Sequence, residues 1–113
     1  MKRIEAIIPE DNVVPLLNSL ESLPNGGFTY HTVKGRGRRT RPMVPSGRSG
    51  RFESIYSPSH CFFIIAPDRR VEELINLITS HAKNHTAGEG KIFIYDVDDA
   101  VDVGTKERGE SSI

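Results

Sequence analysis

Cys61-Phe62-Phe63-Ile64-Ile65-Ala66 is an unbroken apolar run, the pattern of a strand buried on both faces. Asp68 follows as a helix-capping residue. Val71, Leu74, Ile75, Ile78 and Ala82 then recur at the three- and four-residue spacing of one helix face. Gly88-Glu89-Gly90 reads as a turn, and Lys91-Ile92-Phe93-Ile94-Tyr95-Asp96-Val97 as another strand. The second half of the chain is therefore strand, helix, strand.

The first half repeats that order. Arg3-Ile4-Glu5-Ala6-Ile7-Ile8, ended by Pro9, predicts a strand. Asp11 and Asn12 offer capping side chains, and Val13, Leu16, Leu17 and Leu20 form one helical stripe. Pro15 is tolerable in a first turn, where amide donors lack internal partners. Pro24-Asn25-Gly26-Gly27 stops the helix, and the β-branched and aromatic Phe28-Thr29-Tyr30-His31-Thr32-Val33 predicts a second strand. From 35 to about 59, Gly, Pro, Ser and Arg dominate and no periodicity survives, so this reads as a long loop. After 97 a polar tail carries a possible short strand at 100–103. Two βαβ units in series predict an α+β fold, the ferredoxin-like βαββαβ sandwich, with both helices on one face of an antiparallel sheet. The other face would be bare unless copies pack on it, which favours an oligomer.

A length of 113 residues predicts one domain, 1–113. With 36% hydrophobic and 27% charged residues, the chain is too apolar to be disordered. No run reaches the roughly 18 apolar residues of a membrane span, and Met1-Lys2-Arg3 leads straight into a strand, so no membrane insertion, no signal peptide and a cytoplasmic location are expected. Net charge is zero, yet Lys34, Arg36, Arg38, Arg39, Arg41, Arg48 and Arg51 crowd one stretch, while Asp96, Asp98, Asp99 and Asp102 crowd another. Such asymmetry points to an anionic partner for the basic loop.

Chemistry-bearing constellations are sparse. His81 and His85 stand four apart with no third ligand, which reads as surface residues at a fraying helix end. Cys61 opens a buried strand and reads as a small hydrophobe, not a nucleophile. No enzyme is indicated. Lys34-Gly35-Arg36-Gly37-Arg38-Arg39 leaves the second strand, and Gly88-Glu89-Gly90-Lys91 enters the last. Glycines let amides approach phosphate, and Lys91 and Arg38 could add charge. Each stretch alone is usually just a turn, and neither is a dinucleotide or Walker motif, because no helix follows. In this topology the two lie on opposite sides of the sheet, so they could meet only across a subunit boundary. Nucleic-acid binding through the arginine loop is the alternative, and a minority one, because the loop lacks interleaved aromatics.

Lys2-Arg3-Ile4-Glu5-Ala6-Ile7-Ile8, Thr32-Val33-Lys34-Gly35-Arg36-Gly37-Arg38, Ala66-Pro67-Asp68, Gly88-Glu89-Gly90-Lys91-Ile92-Phe93 and Thr105-Lys106-Glu107-Arg108-Gly109-Glu110 together resemble the nitrogen-regulatory P-II signal proteins. The resemblance implies a homotrimer binding ATP or ADP in clefts between subunits, nitrogen regulation, and a flexible T-loop at about 37–58 that docks onto a transporter or enzyme. It also implies a C-terminal tail from about 104 to 113. Carried over by position, it places adenine against Ile7, Thr29, Gly35 and Ile65, and phosphates against Gly37, Arg38, Gly88, Gly90 and Lys91. Arg36, Arg39 and Glu89 flank them.

This chain also departs from the family. Two phosphate-holding arginines are replaced by Asp102 and Gly104, a glutamine that helps bind Mg-ATP and 2-oxoglutarate by Arg39, and a lysine for 2-oxoglutarate by Ser59. His85-Thr86 stands for a glycine-lysine pair, and the modifiable loop tyrosine is replaced by Phe52 or a neighbour. Each lost arginine removes hydrogen bonds worth about 1.5–3 kcal/mol. Three outcomes follow, in order: Arg36, Arg39 and Arg41 compensate; the ligand carries fewer phosphates, as ADP or AMP; or nucleotide binding is lost. Magnesium stays open, no uridylylation is expected, and the 2-oxoglutarate response should be weak or absent.

Overall fold

A computed structural model describes residues 1–24, 27–37, 43–45, 51–53, 56–83 and 88–113, with the side chains of 43–45 and 51–53 left out. Its strands and helices are β1 (Lys2–Pro9), α1 (Val13–Glu21), β2 (Thr29–Gly35), β3 (Met43–Pro45), β4 (Arg51–Glu53), β5 (Ser57–Ala66), α2 (Val71–Ser80) and β6 (Lys91–Asp96). The main sheet has the order β2-β5-β1-β6, and every pairing in it is antiparallel. This is the ferredoxin-like arrangement that the repeated βαβ pattern predicts.

Alternation along the strands sorts the side chains between two faces. Ile4, Ala6 and Ile8 of β1 and Phe62, Ile64 and Ala66 of β5 turn to the helices and are buried with Leu16, Leu20, Leu74 and Ile78. The stripe of α1 faces the core with Leu17 at its margin, whereas that of α2 does so only through Val71, Leu74 and Ile78: Leu77 packs at the margin, Ile75 is not among the packed residues, and Ala82 lies beyond the helix, which ends at Ser80. Pro15 sits exposed in the first turn of α1. The opposite face of the sheet carries no helix among the described residues. Register puts Arg3, Glu5 and Ile7 there beside Cys61, Phe63 and Ile65 of β5 and Lys91, Phe93 and Tyr95 of β6. Phe93 and Tyr95 are 43% and 46% exposed. Arg3 lies over the Phe63 ring at 4.3 Å, and its guanidinium meets Glu5 at 2.9 Å.

Four local expectations are corrected. Regular pairing does not stop at 33 or resume at 61: Val33, Lys34 and Gly35 pair with Ser59, Pro58 and Ser57. Backbone hydrogen bonds carry these rungs, and they need no apolar side chain. Within the expected loop, β3 and β4 form a second short ladder, Met43 opposite Glu53 and Pro45 opposite Arg51. Neither Asn12 nor Asp68 caps a helix with its side chain. A 3-10 turn precedes each helix, which moves these residues off the cap geometry. Asn12 is buried instead, and Asp68 binds the Met1 ammonium at 3.0 Å. At 100–103 there is one bridge, Val101 opposite Arg108, and no strand.

Candidate functional site

The glycine turn at 88–90 is held against the end of β1. Gly88 and Gly90 have φ of +94° and +128°, and a Cβ on Gly90 would overlap the carbonyl oxygen of Ile7. Only glycine meets both conditions. The Glu89 carboxylate accepts from the Lys83 amide at 2.9 Å and closes the approach to the turn. Lys91 then pairs with Ile7, so its side chain leaves on the helix-free face beside Ile7.

Of the predicted site residues, Ile7, Gly88, Glu89, Gly90 and Lys91 are thus brought together. Gly35, Arg36 and Gly37 leave β2 toward the same end of the sheet but on its other edge, three strand spacings or about 14 Å across, and Gly35 lies four residues beyond His31, the residue level with Lys91. Gly35 opens onto Ser59, whose hydroxyl lies 3.9 Å from where a Cβ would stand. Thr29 and Ile65 share the helix-free face but lie further along it, Thr29 opposite Phe63 and Ile65 opposite Arg3. One chain does not gather these residues around one ligand. Arg38 and Arg39 lie outside the described residues. So do Arg41 and Arg48, which the nucleic-acid alternative needs, and His85.

At the C-terminal end, the two positions without arginine are used locally. The Asp102 carboxylate accepts from the Thr105 amide at 2.7 Å, the Thr105 hydroxyl at 3.1 Å and the Gly104 amide at 2.9 Å. These donors, the Thr105 amide first, hold its carboxyl below the usual carboxylate range. Asp99 is likewise lowered, chiefly by Arg108, whose Nε donates at 2.8 Å, and by the Ala100 amide. Backbone bonds from Asp102 to Glu107 and from Gly109 to Ala100 complete a tight hairpin-like turn. Arg69 with Glu110 ties the following 3-10 turn, Gly109–Ser112, to the start of α2. Within the turn Asp99 is paired with Arg108, and Asp102 is held as an ionised carboxylate by uncharged donors.

Two features escaped the sequence reading. His81 is half-buried, and its Nε2 meets the Ser19 hydroxyl at 2.9 Å, pinning the end of α2 to α1. It is not a fraying surface residue, because the break after α2 turns it back onto α1. Asn12 is 4% exposed, and its Oδ1 is buried with no partner among the described residues, which costs about 1–3 kcal/mol. It lines a pocket of about 500 Å3 behind the glycine turn. A second pocket, about 450 Å3, lies at the far end between Phe28, Leu74, Arg69 and Ile113. Among the described residues no helix is long and apolar enough to cross a membrane.

Together the fold and this turn define a small ferredoxin-like protein with a tight glycine turn at one edge of its sheet. Residues 1–107 match the family described as Nitrogen regulatory protein P-II. The chain is 32% identical over 113 residues to nitrogen regulatory protein P-II 2 of Methanothermobacter thermautotrophicus, covering 100% of this chain and 97% of that one. It is 30% identical to nitrogen regulatory protein P-II of Haemophilus influenzae, with full coverage of both. A nifHD-region GlnB-like protein 1 of Methanothermococcus thermolithotrophicus is 33% identical over 111 residues, 96% of this chain and 99% of that one. The chain belongs to the P-II family of regulatory signal proteins.

Proposed function

We propose that this protein is a cytoplasmic, non-enzymatic sensor of adenine nucleotides. In this reading three copies pack their helix-free faces together. Each nucleotide lies in a cleft between copies, with phosphates on the turn at 88–91 and the base against Ile7, Gly35, Thr29 and Ile65. The T-loop at about 37–58 then takes a ligand-dependent shape and docks onto a transporter or enzyme. The carrying observation is the glycine turn pressed onto Ile7 beside Lys91, on the opposite edge from 35–37. Two half-sites on one apolar face are completed by a neighbouring copy.

Asp102 and Gly104 bear on which nucleotide is held. Asp102 is held as an ionised carboxylate and Gly104 has no side chain, so neither position supplies a grip on a γ-phosphate. ADP or AMP then competes well with ATP unless Arg36, Arg39 and Arg41 compensate. Calorimetry against ATP, ADP and AMP, with and without magnesium and 2-oxoglutarate, tests this. Heat is expected with at least one nucleotide and little response to 2-oxoglutarate, and no heat with any of the three would refute the reading.

A further inference from the structure

We propose that the pocket on the helix side of the glycine turn is a second small-molecule site, for a short aliphatic ligand presenting an N–H donor to Asn12. Alternation separates it from the nucleotide face: Ile7 and Lys91 leave the sheet on the helix-free side, whereas Ile8 and Ile92 turn to the helices and line this pocket. Its volume of about 500 Å3 is that of an ordinary ligand site. The body of the wall is apolar, from Ile8, Ile78, Ala82 and Ile92.

The polar end is acceptor-rich. Asn12, 4% exposed, carries an oxygen that neither caps a helix nor meets any donor among the described residues. A buried polar group left in that state is an exception that calls for a ligand or a role. The C-terminal end of α2 closes the same pocket through Thr79, His81 and Ala82, so the local helix field is negative. Glu89 adds a carboxylate, His81 is engaged by Ser19, and Lys91 also lines the pocket, although its strand position turns its side chain to the other face. An amine or primary carboxamide suits these surroundings, and a carboxylate does not.

The test uses the full chain, 15N-labelled, titrated with n-butylamine, butyramide and butyrate while amide resonances of Ala82, Gly90 and Ile92 are followed. Butylammonium and butyramide are expected to shift them saturably, and butyrate to bind at least tenfold more weakly. Asn12→Leu should melt at a higher temperature than the parent, having lost the unpartnered oxygen, and lose at least tenfold in affinity. Ala82→Phe, which fills the pocket without touching Asn12, should lose binding too and decides alone if Asn12→Leu does not fold. Absence of saturable shifts with both donors, equal binding of butyrate, or unchanged binding in the folded variants overturns the proposal. No nucleotide enters the titration, so failure here leaves the nucleotide reading standing, and the converse holds.

Discussion

At Gly90 two independent constraints coincide: a φ of +128° that side chains rarely adopt, and a carbonyl oxygen where a Cβ would stand. Strain of this kind costs of order 1–3 kcal/mol, and the backbone overlap adds to it. Gly90→Ala should therefore lose about 2–3 kcal/mol in urea unfolding and abolish nucleotide heats, whereas Gly27→Ala, which meets nothing within 4 Å, should do neither. Gly104 is the contrasting case. A Cβ there would make only an ordinary 3.4 Å contact with Asp102, and the Gly104 amide can keep donating. Gly104→Arg is thus expected to leave stability nearly unchanged and raise ATP affinity at least tenfold, as one restored charge-assisted contact would. Equal calorimetric affinities for ATP in variant and parent would show that this position does not face phosphate.

Among elements, the C-terminal turn depends on ionised carboxylates. Asp99 and Asp102 titrate below their usual range when folded, so the unfolded chain binds protons more readily. Their contribution is complete above the ordinary carboxylate pKa, near 4, and is lost as pH falls through the lower folded values. Protection of the amides in 100–109 against exchange, taken relative to the intrinsic rate at each pH, should fall below about pH 4, and Asp102→Ala should bring that loss of protection to neutral pH. Protection that is unchanged between pH 7 and 3 would contradict this. Little of this turn was legible beforehand, because its order comes from side chain to backbone bonds that leave no periodicity. By contrast, the helices and core strands were legible through the 3.6-residue and alternating patterns of Leu16, Leu20, Ile4, Ala6, Phe62, Leu74 and Ile78. The rungs at Lys34 with Pro58 and Gly35 with Ser57 were not, since backbone ladders extend without apolar side chains. Neither was Asn12, whose type suggests a cap and whose burial follows from the 3-10 turn before α1.

For the whole molecule, the deciding feature is the face that no helix covers. Phe63 and Tyr95 flank Arg3 there and Phe93 stands exposed beside them, and this much apolar surface on a small chain invites copies of itself. The proposed site argues the same way, because the turn at 88–91 and residues 35–37 stand on opposite edges of the sheet. Phe93→Lys separates assembly from folding. Glu5 lies directly opposite position 93, so a lysine gains a cross-strand partner within one chain, a pairing worth a few tenths of a kcal/mol. In a packed trimer the same ammonium would be withdrawn from water between apolar rings, which costs several kcal/mol. Sedimentation velocity should therefore give a trimer for the parent and a monomer with native circular dichroism for Phe93→Lys, and nucleotide heats should vanish with assembly. A parent that sediments as a monomer, or a monomeric variant that still binds nucleotide, would place the whole site within one chain and undo the shared-cleft arrangement.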